Sequence, residues 1–306
     1  MPIVGASPAT NPSQVAPNIT TYASRTPYLT LAEWLAAPTA IDITNLIPGG
    51  TQEMQNQAIT NEIERASSWV DRICFQVLAA TSDITSGRFL VNRWGAVRIP
   101  LPRKPVLEVS SVSVGSTPST MTALSSLADV EISPNGVITV PVYTMASPVT
   151  FGSSFGSGSR PLVTVTWVNG WPNTTLAVGT AAGVSSLTVA SALGIYPGTV
   201  LTVYDVSVTG GTEQVTVSSS YVAGSTTVTL AAPTVYAHTT GISISNLPPV
   251  VKEATILLTT ALIQTRGADA LVLGSTEPPT GTTTSGTIGQ AERLAGVMLA
   301  DLRRAW

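Results

Sequence analysis

The spacing of apolar positions changes along this chain from a helical period to a period of two and back again. Ile59, Ile63, Ala66, Val70, Ile73 and Val77 recur at steps of four and three, which predicts one stripe on a long helix. Thr51 supplies an N-cap after Pro48-Gly49-Gly50, and Glu53 falls in the first turn, where the helix dipole favours a carboxylate. A shorter helix precedes it. Thr30 and Glu33 have capping-box spacing, and the helix should run to Ala37 and stop at Pro38. A third helix opens at Pro248-Pro249 and carries Val250, Ala254, Leu257, Leu258, Ala261 and Leu262 on one side, ending at Arg266-Gly267. A fourth has a capping signal at Thr287 and Gln290, with Leu294, Met298 and Leu302 on its apolar side and Arg303 and Arg304 at its end.

Between the second and third helices the pattern predicts strands at Arg88–Ile99, Val106–Val114 and Leu162–Val168. Val130–Ile132 and Val137–Val140 flank Pro134-Asn135-Gly136, a hairpin turn. Phe151–Ser159 is rich in Gly and Ser and reads as a flexible loop, with no Lys or helix start that would make it a phosphate loop. Residues 175–247 stand apart. They hold no Lys or Arg, and Asp205 and Glu213 are their only acids. Five short runs there (Ser186–Ala190, Thr199–Tyr204, Gln214–Ser218, Thr227–Leu230 and Ile242–Ser245) are divided by turn signals, as in a small sandwich or barrel. No internal repeat is evident. Residues 1–29 contain Pro2, Pro8, Pro12, Pro17 and Pro27 and read as an extended arm without a core of its own.

The fold class expected is therefore α+β: a helical core with a β-hairpin and strand region, plus an inserted all-β domain. The expected boundaries are an arm at 1–29, a core at 30–174 and 248–306, and an insert at 175–247.

Composition narrows the function. Hydrophobic residues make up 43% of the 306, enough for a sizeable core, while charged residues make up only 10%, against roughly 25% in an ordinary globular domain. Such a surface suits β-rich modules and subunits covered by neighbours. The net charge is −3 and no basic stripe is visible, which argues against a general nucleic-acid binder. The single cysteine, Cys74, excludes an internal disulfide framework and a multi-thiolate metal site, and it reads as a small buried hydrophobe. Met1–Thr20 lacks the pattern of a signal peptide. Val250–Ile263 is interrupted by Lys252 and Glu253 and is too short to span a bilayer, so no membrane role is expected.

Catalytic chemistry has few candidates. His238 is the one histidine, so any Ser-His-Asp or Cys-His arrangement would have to use it. It reads as a surface loop residue. Glu62, Glu64 and Asp71 lie beside Arg65 and Arg72 on the polar side of the long helix. A carboxylate-pair hydrolase is conceivable there, but a solvated face with local ion pairs is the simpler reading.

The order of segments resembles the head-to-tail adaptor, or connector, proteins of long-tailed bacteriophages. The resemblance runs from 30 to about 174 and resumes at 248–306. In such adaptors a helix with ASxxVDxxC precedes an LPxxPV strand entry, and a VxVxYxxGW-like strand precedes the return helix. Here Ala66-Ser67-Ser68-Trp69-Val70-Asp71-Arg72-Ile73-Cys74 is followed by Leu101-Pro102-Arg103-Lys104-Pro105-Val106. Val163-Thr164-Val165-Thr166-Trp167-Val168-Asn169-Gly170-Trp171 then leads toward Pro248-Pro249-Val250. The insert departs from the minimal family plan.

The resemblance implies a virion protein of the neck, made in the host cytoplasm, and a homo-oligomeric ring of about twelve copies. Its partners would be the portal, a tail-side neck or tail terminator protein, and passing double-stranded DNA without sequence readout. It implies no enzyme activity, catalytic residue, metal or cofactor. Candidate contacts between subunits or with the portal are Pro8, Pro12, Pro17, Tyr22, Arg303, Arg304 and Trp306. The alternative is a binding module whose β insert recognises a carbohydrate or a host surface. Against it, the insert offers only Tyr196, Tyr204, Tyr221 and Tyr236 as aromatics.

Overall fold

The computed structural model describes residues 26–43, 46–142, 155–207, 211–265 and 284–303. Pro8, Pro12, Pro17, Tyr22, Arg304 and Trp306 lie outside them, as does most of the expected arm. The protein is α+β, with helices and several separate antiparallel sheets. Thr81–Asn169 form one compact unit, and residues 24–80 with 170 onward form another.

Among its described residues the first unit is all β apart from one 3-10 turn at Pro118–Thr120. Its strands are β1 (Thr81–Arg88), β2 (Ala96–Pro100), β3 (Val106–Gly115), β4 (Thr122–Ala123), β5 (Glu131–Ile132), β6 (Val137–Pro141) and β7 (Leu162–Asn169). They form two sheets, ordered β1-β7-β3-β4 and β2-β6-β5. The inward residues of both, among them Val97, Ile99, Val112, Val114, Ile138, Val140, Val163, Val165 and Trp167, make one core. The expected hairpin is present, with β5 against β6 and Gly136 at positive φ. The run 88–99 is not one strand, because the chain turns over at Asn92–Gly95. β1 instead lies upstream, where Thr81-Ser-Asp-Ile-Thr-Ser-Gly-Arg88 has little apolar alternation to reveal it. Its full-length pairing with β7 compensates.

The second unit carries α1 (Leu31–Ala36), α2 (Gln52–Cys74), α3 (Pro249–Thr265) and α4 (Thr284–Met298). Thr30 and Glu33 form the full capping box, and the Thr51 hydroxyl accepts from the Met54 amide. α2 buries Ile59, Ile63, Ala66, Val70 and Ile73 as the stripe requires. It ends one turn early for the expected pattern. Phe75 adopts the left-handed conformation and its amide closes back on the Arg72 and Asp71 carbonyls, so Val77 is buried but not helical. The expected apolar face of α4 holds at Leu302, which packs on the core just past the helix, but not within α4 itself. Leu294 is exposed and Met298 half-buried, while Ala291, Ala295 and Leu299 face the core of α2 and α3. Alanines allow close helix approach there, and the leucine spacing misled because it ignored them.

Residues 173–245 supply β8 (Asn173–Thr175), β9 (Ser186–Thr188), β10 (Val200–Tyr204), β11 (Glu213–Thr216), β12 (Thr227–Thr229) and β13 (Ser243–Ser245). The sheets are β11-β10-β13-β8 and β12-β9, closed over their own core of Leu176, Leu187, Val189, Leu201, Val203, Val215, Val217, Val228, Leu230 and Ile244. This segment contains an internal repeat, contrary to the sequence reading. β8-β9-β10 and β11-β12-β13 make the same bonds. Leu176 bridges Val189 in one half and Val217 bridges Leu230 in the other, each partner 41 positions later. The Ala177 amide bonds the Thr188 carbonyl just as Ser218 bonds Thr229, and Ala190 bonds Thr175 just as Ala231 bonds Thr216. β10 pairs with β11 and β13 with β8, so each half completes its sheet with a strand of the other. The equivalent runs Gly183-Val-Ser-Ser-Leu-Thr-Val-Ala190 and Gly224-Ser-Thr-Thr-Val-Thr-Leu-Ala231 keep residue type at every position except Val184 and Ser225, with few identities.

Candidate functional site

The residues that carry the family resemblance converge on internal joints. In the second unit, the Tyr28 amide donates to the Ser67 hydroxyl at 3.1 Å, and the Tyr28 hydroxyl donates to Asp71. That same phenol oxygen accepts from the Leu78 amide at 2.9 Å and the Ala79 amide at 3.3 Å. Ser67 and Asp71, from the ASxxVDxxC run, thus tie the chain entering α1 to the chain leaving α2. This corrects the expectation of a solvated carboxylate face. Asp71 and Glu62 are buried, and only Glu64 is exposed. Glu62 does keep a local ion pair, to Arg65 at 2.8 Å.

Cys74, last of that run, is buried, and burial pushes its thiol up to about 12 despite the opposing charge of Arg303. A thiol so disfavoured as thiolate is a packing group. Gly170 sits at φ +88, and a β-carbon on it would lie 2.5 Å from the Ala79 carbonyl oxygen. Only glycine fits a left-handed position pressed against backbone in this way. In the first unit, Arg103 of the LPxxPV run donates to Asp83 at 3.0 Å, and Asn169 donates to the same carboxylate at 2.6 Å.

Two further buried polar clusters lie in the second unit, and neither was visible in the sequence. Lys252, on the first turns of α3, donates to Glu33 at 2.6 Å and to the Ser243 hydroxyl at 3.1 Å. It also stands 4.0 Å from the centre of the Tyr204 ring. Burial pulls the Lys252 ammonium below its ordinary value, and the attraction of Glu33 only partly opposes this. Burial likewise raises the Tyr204 phenol.

His238 is not a surface residue. Its ring is enclosed, with Nδ1 3.3 Å from Asp205 and Nε2 2.6 Å from Glu213. The three acid–base residues that the sequence places between 175 and 247, tyrosines aside, therefore meet at one point. Burial disfavours the Asp205 carboxylate, but hydrogen bonds from Ser207, the Thr239 amide and His238 outweigh it and hold Asp205 below the usual range. Glu213 also accepts from the Val235 amide at 2.8 Å. Each ring nitrogen faces its own carboxylate, so the cluster clamps the chain around His238 to β10 and β11. The described residues contain no group of three His, Cys, Asp or Glu side chains arranged to hold a metal.

Among known proteins, no family model and no curated protein matches this chain. Of solved structures, it is similar to a chain from the neck of an empty GTA particle computed with C6 symmetry. Identity is 12%, the match covers 91% of this chain and 94% of that one, and the TM-score is 0.32. These values define neither a shared activity nor a shared set of site residues.

Of the residues expected at contacts, Arg303 is the one described. It is exposed and donates to the Gly296 carbonyl at 3.0 Å, closing the end of α4. The tyrosines that a sugar site would need are partly committed. Tyr221 is buried with its hydroxyl on the Ser225 carbonyl, Tyr204 lies under Lys252, and Tyr196 and Tyr236 are half-buried. No helix among the described residues is long and apolar enough to cross a membrane.

Proposed function

We propose that the protein is a structural, non-enzymatic head-to-tail adaptor of a phage-like particle, assembling as a ring between portal and tail through which DNA passes. The observation that carries this reading is the use made of the motif residues. Ser67, Asp71, Cys74, Arg103, Asn169 and Gly170 are all buried, and each joins or packs segments of the fold. A scaffold subunit needs such joints, because its surfaces must keep their shape while neighbours pull on them.

The low surface charge fits subunits that spend their lives covered. It also suits a passage for moving DNA, since few phosphate contacts mean weak, salt-sensitive binding. The test is assembly of the full-length chain with its portal, followed by mass measurement. A complex containing one portal ring and several copies of this chain supports the reading. A chain that stays monomeric and apart from portal overturns it, and so does tight, sequence-selective duplex binding at physiological salt.

A further inference from the structure

β1 is the longest edge strand among the described residues, and its outer edge has no partner there. The Phe89 amide bonds the Pro161 carbonyl just past the last β1–β7 pair. Counting by two from there, Gly87, Thr85, Asp83 and Thr81 face β7, and the amides and carbonyls of Ser82, Ile84 and Ser86 point the other way. All three residues are exposed, Ile84 at 51%, and no described group bonds those amides or carbonyls. Edge strands are ordinarily guarded by Pro, Lys, a bulge or an inward charge. β1 has no Pro or Lys, and its pairs with β7 run without a bulge. Its inward charge, Asp83, is bonded by Arg103 and Asn169. Its outward charge, Arg88, is drawn onto the Arg160 and Ser116 carbonyls at 3.0 and 2.9 Å. An open, unguarded edge of this length is a template for one more strand.

The chain itself carries a segment that fits. Residues 1–25 lie outside the described residues, and they join them at Thr26 and Pro27, whose carbonyls both accept from the Asn173 side chain, at 2.9 and 3.0 Å. Proline cannot donate to a ladder, and Pro2, Pro8, Pro12 and Pro17 cut the first part of the arm into short pieces. The long proline-free run follows Pro17. Its residues 18–25, Asn-Ile-Thr-Thr-Tyr-Ala-Ser-Arg, match β1 residue for residue in length. They are rich in β-branched and aromatic side chains, with Ile19, Thr21 and Ala23 alternating with Thr20, Tyr22 and Ser24. The arm is anchored in the second unit while β1 belongs to the first, so an arm-to-edge contact uses two different surfaces of each copy. Such a heterologous contact repeats from copy to copy and closes into a ring. Two β1 edges paired with each other would make a symmetric contact, which ends at two copies.

We propose that residues 18–25 of one copy add as a strand to the open edge of β1 in a second copy. This rests on the ring reading and names a contact within it. The experiment compares the full-length chain with Ile84→Lys and Tyr22→Pro, alone and with portal, by sedimentation velocity over a range of concentrations. Lysine on an exposed edge deters pairing, and proline in the arm removes a donor. Each variant should weaken copy-to-copy assembly about tenfold or more per contact, with the melting temperature of the monomer unchanged. Rings are then assembled from a mixture of isotopically light and heavy copies carrying a photo-crosslinking residue at position 84. It should capture residues 18–25 in peptide pairs of mixed isotope. If the wild type forms rings and both variants form them equally well, the contact is overturned while the ring stands. Crosslinks confined to a copy's own arm, to another neck protein or to residues outside 18–25 overturn it too. A wild type that stays monomeric even with portal overturns the ring and this contact together.

Discussion

Replacing Lys252 by methionine removes a cation while nearly preserving volume, and it leaves the Glu33 carboxylate facing an apolar neighbour. Glu33 and Lys252 side chains are only 6% and 8% exposed, and the pair is 2.6 Å apart. Breaking a buried pair from one side costs about 3–5 kcal/mol, because the remaining charge has lost its counterion. Glu33 keeps its bonds from the Thr30 amide and hydroxyl, so the lower end, about 3 kcal/mol, applies. For a unit of this size that is a fall of about 6–12 °C in melting temperature.

The double variant Glu33→Gln/Lys252→Met should recover most of the loss, to within about 1 kcal/mol of wild type, because glutamine still completes the capping box and no charge is buried. The assay is urea and thermal unfolding followed at 222 nm. All four α-helices among the described residues lie in the unit that holds this pair, so the signal reports that unit. The reasoning is refuted if Glu33→Gln and Lys252→Met each cost under about 1 kcal/mol and add without coupling in the double variant.

Other substitutions test the remaining joints. His238→Ala leaves Asp205 and Glu213 without their shared hydrogen-bond partner and should cost about 1–3 kcal/mol in chemical unfolding; a loss under about 0.5 kcal/mol would return His238 to the surface role expected from sequence. Asp205 is held below its ordinary value, so its contribution is present at neutral pH and lost as pH falls through the acid range; Asp205→Asn should flatten that part of a stability–pH curve. Cys74 runs the other way. Its thiol is raised from an ordinary 9.0 to about 12, so the unfolded chain loses its proton first and stability falls between those values. Comparing Cys74→Ala with wild type over that range should show a steeper loss in wild type, on top of the loss that the raised Tyr204 and Tyr221 phenols cause in both. Gly170→Ala should cost several kcal/mol or prevent folding, measured as soluble yield and melting temperature, because the new β-carbon meets the Ala79 carbonyl.

Much of this architecture was legible in the sequence because it rests on local signals. The Thr30 and Thr51 caps, the stripe from Ile59 to Ile73, the Pro134-Asn135-Gly136 turn and the five short runs between 175 and 247 each express a period or a turn that needs no distant partner. What was not legible depends on partners far along the chain. Lys252 looked like an interruption of an apolar stretch, and it is buried because Glu33 stands 219 positions away. His238 looked like a loop residue, and its environment comes from Asp205 and Glu213, brought in by the pairing of β10 with β11. Asp71 looked solvated until Tyr28 folded over it. The repeat was hidden for a different reason. Exchanges such as Leu187 for Val228 and Val189 for Leu230 preserve burial in both halves without preserving identity.

The most direct test of the adaptor reading is electron cryomicroscopy of the neck of the assembled particle, with the chain traced into the density. The adaptor reading predicts a closed ring of copies of this chain between portal and tail, encircling the DNA path. Density for the neck that contains no copy of this chain, or that places it singly on the particle's surface, would contradict it.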